Sequence, residues 1–296
     1  MKIKDKIFQG KSIKRNIFLC LSVCLLLYQI GLIVFCNLTQ IRYHLGYDAS
    51  SAYLHAMEIW NQKSLMPSTF VLTTTLGWDS PDPLAALIYG VTHNIYLSFG
   101  IANLLILAMM VAAFVCILRE YRFQLTEIIL GLNLLLCPYM ILDRVNDNNL
   151  SYFAMMLCEQ GSYMIKFLSI FLIILAVLKL ENNKKCYVTI FLSIVINMLT
   201  SVSSGLYIAF TILIPCLLYY IIKAIQKNDA RILISKGSIL VVIQLIISFI
   251  CKLVTSHYIV FTSHESKLKL TGILDFWLRG YDCWIFSVAL RYVNLL

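Results

Sequence analysis

Long apolar blocks alternate with short polar segments along this chain, and most of the apolar blocks are long enough to cross a membrane. The first is an uncharged run over 17–36. A helix of about 20 apolar residues spans the hydrocarbon core of a bilayer. Further runs predict helices over 95–118, 125–142, 164–178 and 239–254, and an eighth from Cys283. The pattern is typical of an all-α transmembrane bundle.

The apolar stretch over 187–222 is too long for a single crossing. A small polar sequence, Thr-Ser-Val-Ser-Ser-Gly over 200–205, interrupts it. Glycine and clustered serines favour a break in a helix. The stretch therefore predicts a hairpin of two helices, which brings the total to seven or eight membrane helices.

Two shorter patterns lie in the long segment 37–94, between the first and second spans. Apolar residues recur there on one face of a helix, at Ala49, Ala52, Tyr53, Ala56, Met57 and Trp60. Asp48 stands where an N-cap would stand. A second short helix is predicted over Leu84–Tyr89, after Ser80-Pro81-Asp82-Pro83, since proline suits the first helical turn. Both helices are expected to be amphipathic and to lie in the membrane interface.

The distribution of charge predicts the topology. Six basic residues fall within the first fifteen positions, which places 1–16 in the cytoplasm. The loops predicted on the same side carry Arg119, Arg122, Lys179, Lys184, Lys185, Lys223, Lys227, Arg231 and Lys236. The opposite loops carry Asp48, Glu58, Asp79, Asp82, Asp143, Asp147, Glu159, Glu265, Asp275 and Asp282. Segments 37–94 and 256–282 are therefore predicted to be extracytoplasmic.

The composition supports one integral membrane domain over 1–296. The chain is 60% hydrophobic and 13% charged, with a mean hydropathy of +0.82, whereas soluble domains are about 25% charged. Topology and anionic lipid account for the net charge of +9, so membrane lipids rather than nucleic acid are the expected partners. Because the chain ends at Leu296, soon after the eighth apolar run begins, we expect it to be truncated at the C-terminus.

Carboxylates and cations occur together on the predicted outer side. Asp48, Asp143 and Asp147 lie near helix ends, and the cations there include Arg42, Arg144 and Lys166. Such a mixture suits a phosphorylated, membrane-embedded substrate, because cations or a metal hold the phosphate while a carboxylate takes a proton. Each group also has a simpler interpretation. Asp48 fits a helix cap, the Asp/Asn-rich loop fits a polar turn, and Lys166 can extend its amine to the interface.

The arrangement of these elements resembles the GT-C glycosyltransferases, over about residues 17–180. The sequence Asp82-Pro-Leu-Ala-Ala-Leu-Ile-Tyr-Gly90, followed by Phe99-Gly100 and Ala102-Asn103, is similar to the run Pro-Pro-Leu, Phe-Gly, Ala-Arg in many bacterial members. The chain departs from the family at two places. Asp48-Ala49 stands where many members have Asp-Glu, and Asp82 replaces the first proline of the pair.

The resemblance implies a bacterial plasma-membrane enzyme that takes a sugar from a polyprenyl-phosphate donor at the outer face. The acceptor would be a glycan, a lipid or a protein of the cell envelope. Asp48 would be the general base in an inverting transfer. Arg42, Arg144 and Lys166 would bind the phosphate. Asp143 and Asp147 match the acidic second loop, which holds the acceptor or a divalent cation such as Mg²⁺ or Mn²⁺.

Two other functions stay open at this stage. A transporter or flippase of lipid-linked glycans would also be polytopic, although the predicted helices contain few buried charges, and transporters typically carry such charges near the midplane. A non-catalytic membrane partner would be consistent with the missing Asp-Glu pair and with the end of the chain at Leu296.

Overall fold

The computed structural model describes residues 2–43, 47–70, 76–137 and 161–258, and leaves out the side chains of 2–15, 43, 47–49, 161–163 and 258. These residues lie in one compact unit, Met1–Val260. They form helices and no strand, which confirms the all-α class. The α-helices are α1 Lys2–Phe35, α2 Tyr47–Gln62, α3 Asp82–Thr92, α4 Ile95–Glu120, α5 Leu125–Leu135, α6 Gly161–Glu181, α7 Tyr187–Ser204, α8 Ile214–Lys227 and α9 Lys236–Tyr258.

Five helical segments of the described chain are long and apolar enough to cross a membrane. They are Asn16–Gln40, Ile95–Glu120, Tyr187–Ser204, Ala209–Lys227 and Lys236–His257. Helix α5 is apolar but shorter, and α6 occupies the place of the predicted fourth span. Helices of membrane-spanning length are thus confirmed, while their crossing of a membrane and the total of seven to eight stay predictions. The predicted eighth helix lies outside the described residues.

The predicted break in the apolar stretch 187–222 is confirmed. Helix α7 ends at Ser204, and Gly205 adopts φ +66°, a left-handed conformation that glycine enters at no steric cost. The chain resumes as a π-helical turn, Ala209–Leu213, and Pro215 then lies in the first turn of α8. The Ile214 amide still donates to the Ala209 carbonyl across the π-helical turn, so Pro215 lies in a continuous helical stretch.

Polar contacts show which helix ends lie together. Glu120, at the end of α4, accepts hydrogen bonds from Asn182 (3.2 Å) and Lys184 (2.7 Å), which follow α6. At the opposite end of these helices, Asp79 contacts Lys166 near the start of α6 and Ser204 at the end of α7. The ends of α4 and α6 therefore lie together at one end of the bundle, and the start of α6 lies beside the end of α7 at the other, while the orientation in a membrane stays a prediction. We call the end that contains Asp79 the loop end.

Buried polar side chains join helices along their length. Asn197 on α7 donates to the carbonyl of Gln244 on α9 (3.2 Å) and accepts from the hydroxyl of Ser248 (3.1 Å). Gln244 in turn donates to Ser193 (3.1 Å). All four side chains are buried. Hydrogen bonds of this kind hold helices together where lipid supplies no hydrophobic driving force.

Helices α2 and α3 pack on α4 at the loop end. The Tyr53 ring of α2 meets Tyr96 and Phe99 of α4 edge-on, with ring centroids 5.5 and 4.7 Å apart. Ala56 and Ile59 on the same face of α2 are buried in this core. The apolar face that the sequence assigned to the membrane interface thus packs against protein, because α3 and α4 cover it.

Candidate functional site

Of the predicted site residues, the structure describes Asp48, Arg42 and Lys166, and all three lie at the loop end. Asp48 lies in the first turn of α2, rather than before it as the predicted N-cap, and its side chain is outside the described part. An acidic residue in this turn is favourable beside the helix dipole. Arg42 lies in a 3₁₀ turn, Ile41–Tyr43, just ahead of α2. Asp143, Arg144 and Asp147 lie outside the described residues.

Arg42 borders a cavity of about 430 Å³ between the end of the first span and the start of α4. Its lining consists of Leu38, Thr39, Ile41, Arg42, Asn94, Tyr96 and Leu97. Ligand pockets in proteins commonly measure about 300–1,000 Å³. Arg42 is the single charged residue among these seven. The cavity therefore combines an apolar wall with one guanidinium group.

Close backbone contact fixes the wall of this cavity. The first span ends in a π-helical turn, Cys36–Gln40, and Gly100 of α4 packs directly on it. A Cβ atom at Gly100 would overlap the carbonyl oxygen of Asn37. The amide of Asn103 also donates to the Asn37 side chain (3.3 Å). π-helical turns are frequent at functional sites, and this one positions the residues that precede Arg42.

Lys166, a predicted substrate ligand, is buried in an ion pair. Its Nζ lies 3.7 Å from Oδ2 of Asp79, and the Ser204 hydroxyl donates to the same oxygen at 2.6 Å. The residue is only 8% exposed, so it does not extend to the interface as its position near a helix end permits. The Tyr207 ring lies 5.3 Å from the amine. Binding of a substrate phosphate by Lys166 stays a prediction.

His55 and Asp82 form a second buried pair. The imidazole Nδ1 lies 2.8 Å from Oδ2 of Asp82, and the Phe70 ring stacks on the imidazole at 4.9 Å. Among the described residues, no hydrogen-bond partner reaches His55 Nε2 or Asp82 Oδ1. A carboxylate beside Nδ1 favours the tautomer with its proton there, which leaves Nε2 as an acceptor. The pair links α2 to the first residue of α3.

A tight turn over 77–82 directs both carboxylates. Gly77 has φ +69°, and a Cβ atom there would lie 3.2 Å from the His55 ring. Ser80 donates its hydroxyl to the Gly77 carbonyl (2.6 Å) and accepts the Asp82 amide (3.2 Å). Asp82 thereby faces α2, while Asp79 faces α6 and α7. The turn connects the loop helices to the bundle.

Sequence reasoning did not identify these two pairs. In the sequence, Asp79 and Asp82 counted among the acidic residues of the outer loops, Asp82 also stood in the GT-C-like run, and no role was assigned to His55. The sequence does contain one indication that His55 is buried. His55 lies one helical turn before Ile59 and between apolar residues of the same helix. A polar residue beside an apolar stripe often has a buried partner.

The chain was compared with known proteins by family models, by curated sequences and by solved structures. No family model, no curated protein and no solved structure matches it. Within the described ranges, no group of three or more His, Cys, Asp or Glu side chains has a metal-binding arrangement. The predicted cation ligands Asp143 and Asp147 lie outside those ranges, so the divalent cation stays a prediction.

The geometry of the loop end suits an amphiphilic phosphate. A guanidinium group binds phosphate oxygens in a bidentate manner, and the apolar residues beside Arg42 can contact a hydrocarbon chain. Helix α2, which carries Asp48, begins four residues after Tyr43. A cation, an apolar cavity and a carboxylate-bearing helix therefore follow one another at a single junction of the chain.

Proposed function

We propose that this chain is a polytopic membrane glycosyltransferase of the GT-C type. It transfers a sugar from a polyprenyl-phosphate donor to a cell-envelope acceptor at the extracytoplasmic face of a bacterial plasma membrane. The observation that carries the proposal is the apolar cavity bordered by Arg42, next to the helix that has Asp48 in its first turn.

In the proposed reaction, Arg42 binds the donor phosphate and the apolar cavity wall contacts the first units of the polyprenyl chain. Asp48 accepts the proton of the acceptor hydroxyl. The hydroxyl oxygen attacks the anomeric carbon and inverts it. The bond from that carbon to the phosphate oxygen breaks, and the lipid phosphate leaves with the electron pair. Asp143 and Asp147, with a divalent cation, complete the proposed site together with Arg144.

The buried pairs have a supporting role in this proposal. His55–Asp82 ties α2 to α3, and Asp79–Lys166 ties the turn between them to the bundle. A catalytic carboxylate needs a fixed orientation, since a displacement of about 1 Å can cost about 10²-fold in rate. The two pairs hold the helix that carries Asp48.

A flippase of lipid-linked glycans is the second candidate, and the interrupted helix favours it. The break runs from Gly205 through the π-helical turn Ala209–Leu213, and a Cβ atom at Gly205 would lie 3.5 Å from the Lys252 side chain. Broken helices with nearby charges form substrate sites in many transporters. The flippase would use this break, whereas the transferase would use the Arg42 cavity.

The test deletes the gene in its native host and profiles envelope glycans by mass spectrometry. Complementation then compares wild type, Asp48→Asn, Arg42→Gln and, as a matched control, Asp229→Asn. Asp229 only caps a 3₁₀ turn, where it accepts the Arg231 amide at 2.9 Å. We expect a glycan to lose one sugar on deletion, and wild type and Asp229→Asn to restore it. Asp48→Asn should not restore it at equal protein level.

Three other outcomes would contradict the proposal, each for a different reason. Full complementation by Asp48→Asn shows that Asp48 is not the base. Accumulation of complete lipid-linked glycan on the cytoplasmic leaflet supports the flippase. An unchanged glycan profile on deletion supports a non-catalytic membrane partner.

A further inference from the structure

A second cavity, of about 420 Å³, lies between the end of α2 and the beginning of α3. Its lining consists of Ile59, Trp60, Lys63, Ser64, Leu65, Pro83, Leu84, Ala86 and Leu87. Seven of these nine residues are apolar, and Lys63 is the single charged one. The cavity is separate from the one that Arg42 borders, because the two share no lining residue.

The aromatic wall of this cavity is held in a fixed position. The Trp60 ring packs so closely on Gly90 of α3 that a Cβ atom at Gly90 would overlap it. Lys63 follows the last residue of α2 with φ +52°, the left-handed conformation common just beyond a helix end. This conformation turns the chain back, and the Lys63 amine lies over the Trp60 ring.

Hydrogen bonds within the loop after α2 hold the other wall. The Trp78 indole donates to the Leu65 carbonyl at 3.2 Å, and the Ser68 amide donates to Gln62 at 2.8 Å. The Thr69 hydroxyl donates to Glu58 at 2.6 Å. This bond, with one from Gln62, holds the pKa of the Glu58 carboxyl below its usual range. The Glu58 carboxylate, which precedes the lining residue Ile59, is thus engaged by hydrogen bonds from Thr69 and Gln62.

The cavity opens onto apolar surface. Two of its lining residues, Leu65 and Leu87, are 46% and 65% exposed, and Val91 on the following turn of α3 is 83% exposed. At the end of a bundle of membrane-length helices, exposed apolar surface of this kind is typical of a site that contacts a membrane. A hydrocarbon chain can therefore enter the cavity from the membrane.

We propose that this cavity binds one bilayer phospholipid with an anionic head group. An acyl chain lies against Trp60 and Leu84, and the phosphate is bound by the Lys63 ammonium. The apolar lining selects a chain, and the single cation selects a negative head group by charge complementarity. This site does not depend on the proposed transferase.

Because Trp60 lines the cavity, its fluorescence reports lipid binding there. The full-length protein is stripped of lipid in detergent and titrated with phosphatidylglycerol or phosphatidylcholine, each with brominated acyl chains that quench indole fluorescence. Subtracting the signal of Trp60→Phe isolates the Trp60 contribution from that of the other three tryptophans. We expect the phosphatidylglycerol to quench Trp60 at about fivefold lower concentration, the order expected for one lysine beside an anionic lipid.

Lys63→Gln tests the head-group contact, with Lys227→Gln as the matched control. Both lysines are exposed, so neither substitution should prevent folding. Lys63→Gln should abolish the preference for phosphatidylglycerol, and Lys227→Gln should keep it. Equal quenching by the two lipids in wild type, or an unchanged preference in Lys63→Gln, overturns the proposal. Complete competition by soluble glycerol phosphate also overturns it, since the chain would then contribute nothing.

Discussion

The imidazole Nδ1 of His55 and the carboxylate Oδ2 of Asp82 lie 2.8 Å apart inside the loop end. The contact joins α2 to the first residue of α3 across 27 positions of sequence. Both residues are buried, so water cannot replace either partner. Helices α2 and α3, which follow the first apolar helix, are therefore packed together inside the protein.

Removal of His55 should cost more than a change at its partner. His55→Leu leaves the Asp82 carboxylate buried without the imidazole, and the loss of one partner of a buried pair costs about 3–5 kcal/mol. Asp82→Asn keeps a side-chain oxygen that accepts the hydrogen bond from Nδ1–H, so it should lower the free energy of unfolding by about 1–2 kcal/mol. Thermal unfolding in detergent measures both. The pair is not stabilising in the way described if His55→Leu costs no more than Asp82→Asn.

The Asp79–Lys166 pair should matter far more than an exposed ion pair. Lys166→Met leaves Asp79 with the Ser204 hydroxyl as its partner among the described residues, and it should lower stability by about 3–5 kcal/mol. The double variant Asp79→Asn/Lys166→Met should recover part of that loss, because no unpaired charge remains buried.

The control for this pair is Lys184→Gln. Lys184 lies 2.7 Å from Glu120, but its side chain is 55% exposed, and exposed pairs contribute about 0–1 kcal/mol. Urea unfolding curves of the three variants give the comparison. Equal losses for Lys166→Met and Lys184→Gln would argue against a buried charge at Asp79.

Gly77→Ala should disrupt the turn that directs both carboxylates. Its φ of +69° is strained for any other residue, and the new Cβ atom would press on His55 and on Asp82 at about 3.3 Å. We expect a loss of about 1–3 kcal/mol. Gly31→Ala is the matched control, since nothing lies within 4 Å of its Cβ position and alanine favours a helix. A loss of similar size at both positions would contradict this account of Gly77.

Asn197→Leu should loosen the contact between α7 and α9. The substitution removes three interhelical or intrahelical bonds, to Gln244, Ser248 and Ser201. Interhelical polar contacts in membranes contribute about 0.6–1.7 kcal/mol each, so a loss of about 1–2 kcal/mol is expected in thermal unfolding. Met198→Leu, at an exposed neighbour, should change stability by less than about 0.5 kcal/mol.

The helices were predictable because their signal is local. Apolar runs predicted the helices of membrane-spanning length, and the polar sequence that ends in Gly205 predicted the break, since helix length and glycine conformation depend on neighbouring residues. The location of the α2 apolar face was not predictable in this way. Tyr53 and Ala56 suit both a membrane interface and a protein core. The sequence alone therefore does not show which of the two covers this face of α2.

The buried pairs of the loop end depend on contacts that sequence spacing does not encode. Asp79 meets Ser204 across 125 positions, and no periodic pattern connects residues so far apart. Asp79 also fits the preference of acidic residues for helix N-termini. Because that local preference is enough to explain an acidic residue there, nothing in the sequence indicated the distant contact with Ser204. Candidate chemistry at Asp48 and Arg42 rested on residue type and predicted side of the membrane.

Gly100 governs the Arg42 cavity without contributing a side chain to it. Because its α-carbon rests on the Asn37 carbonyl, the distance between the two helices there is as short as two backbones permit. A single methyl group would act as a spacer, push the end of the first span outward and carry Arg42 with it. The width of the cavity that Arg42 borders therefore depends on the absence of a side chain at position 100.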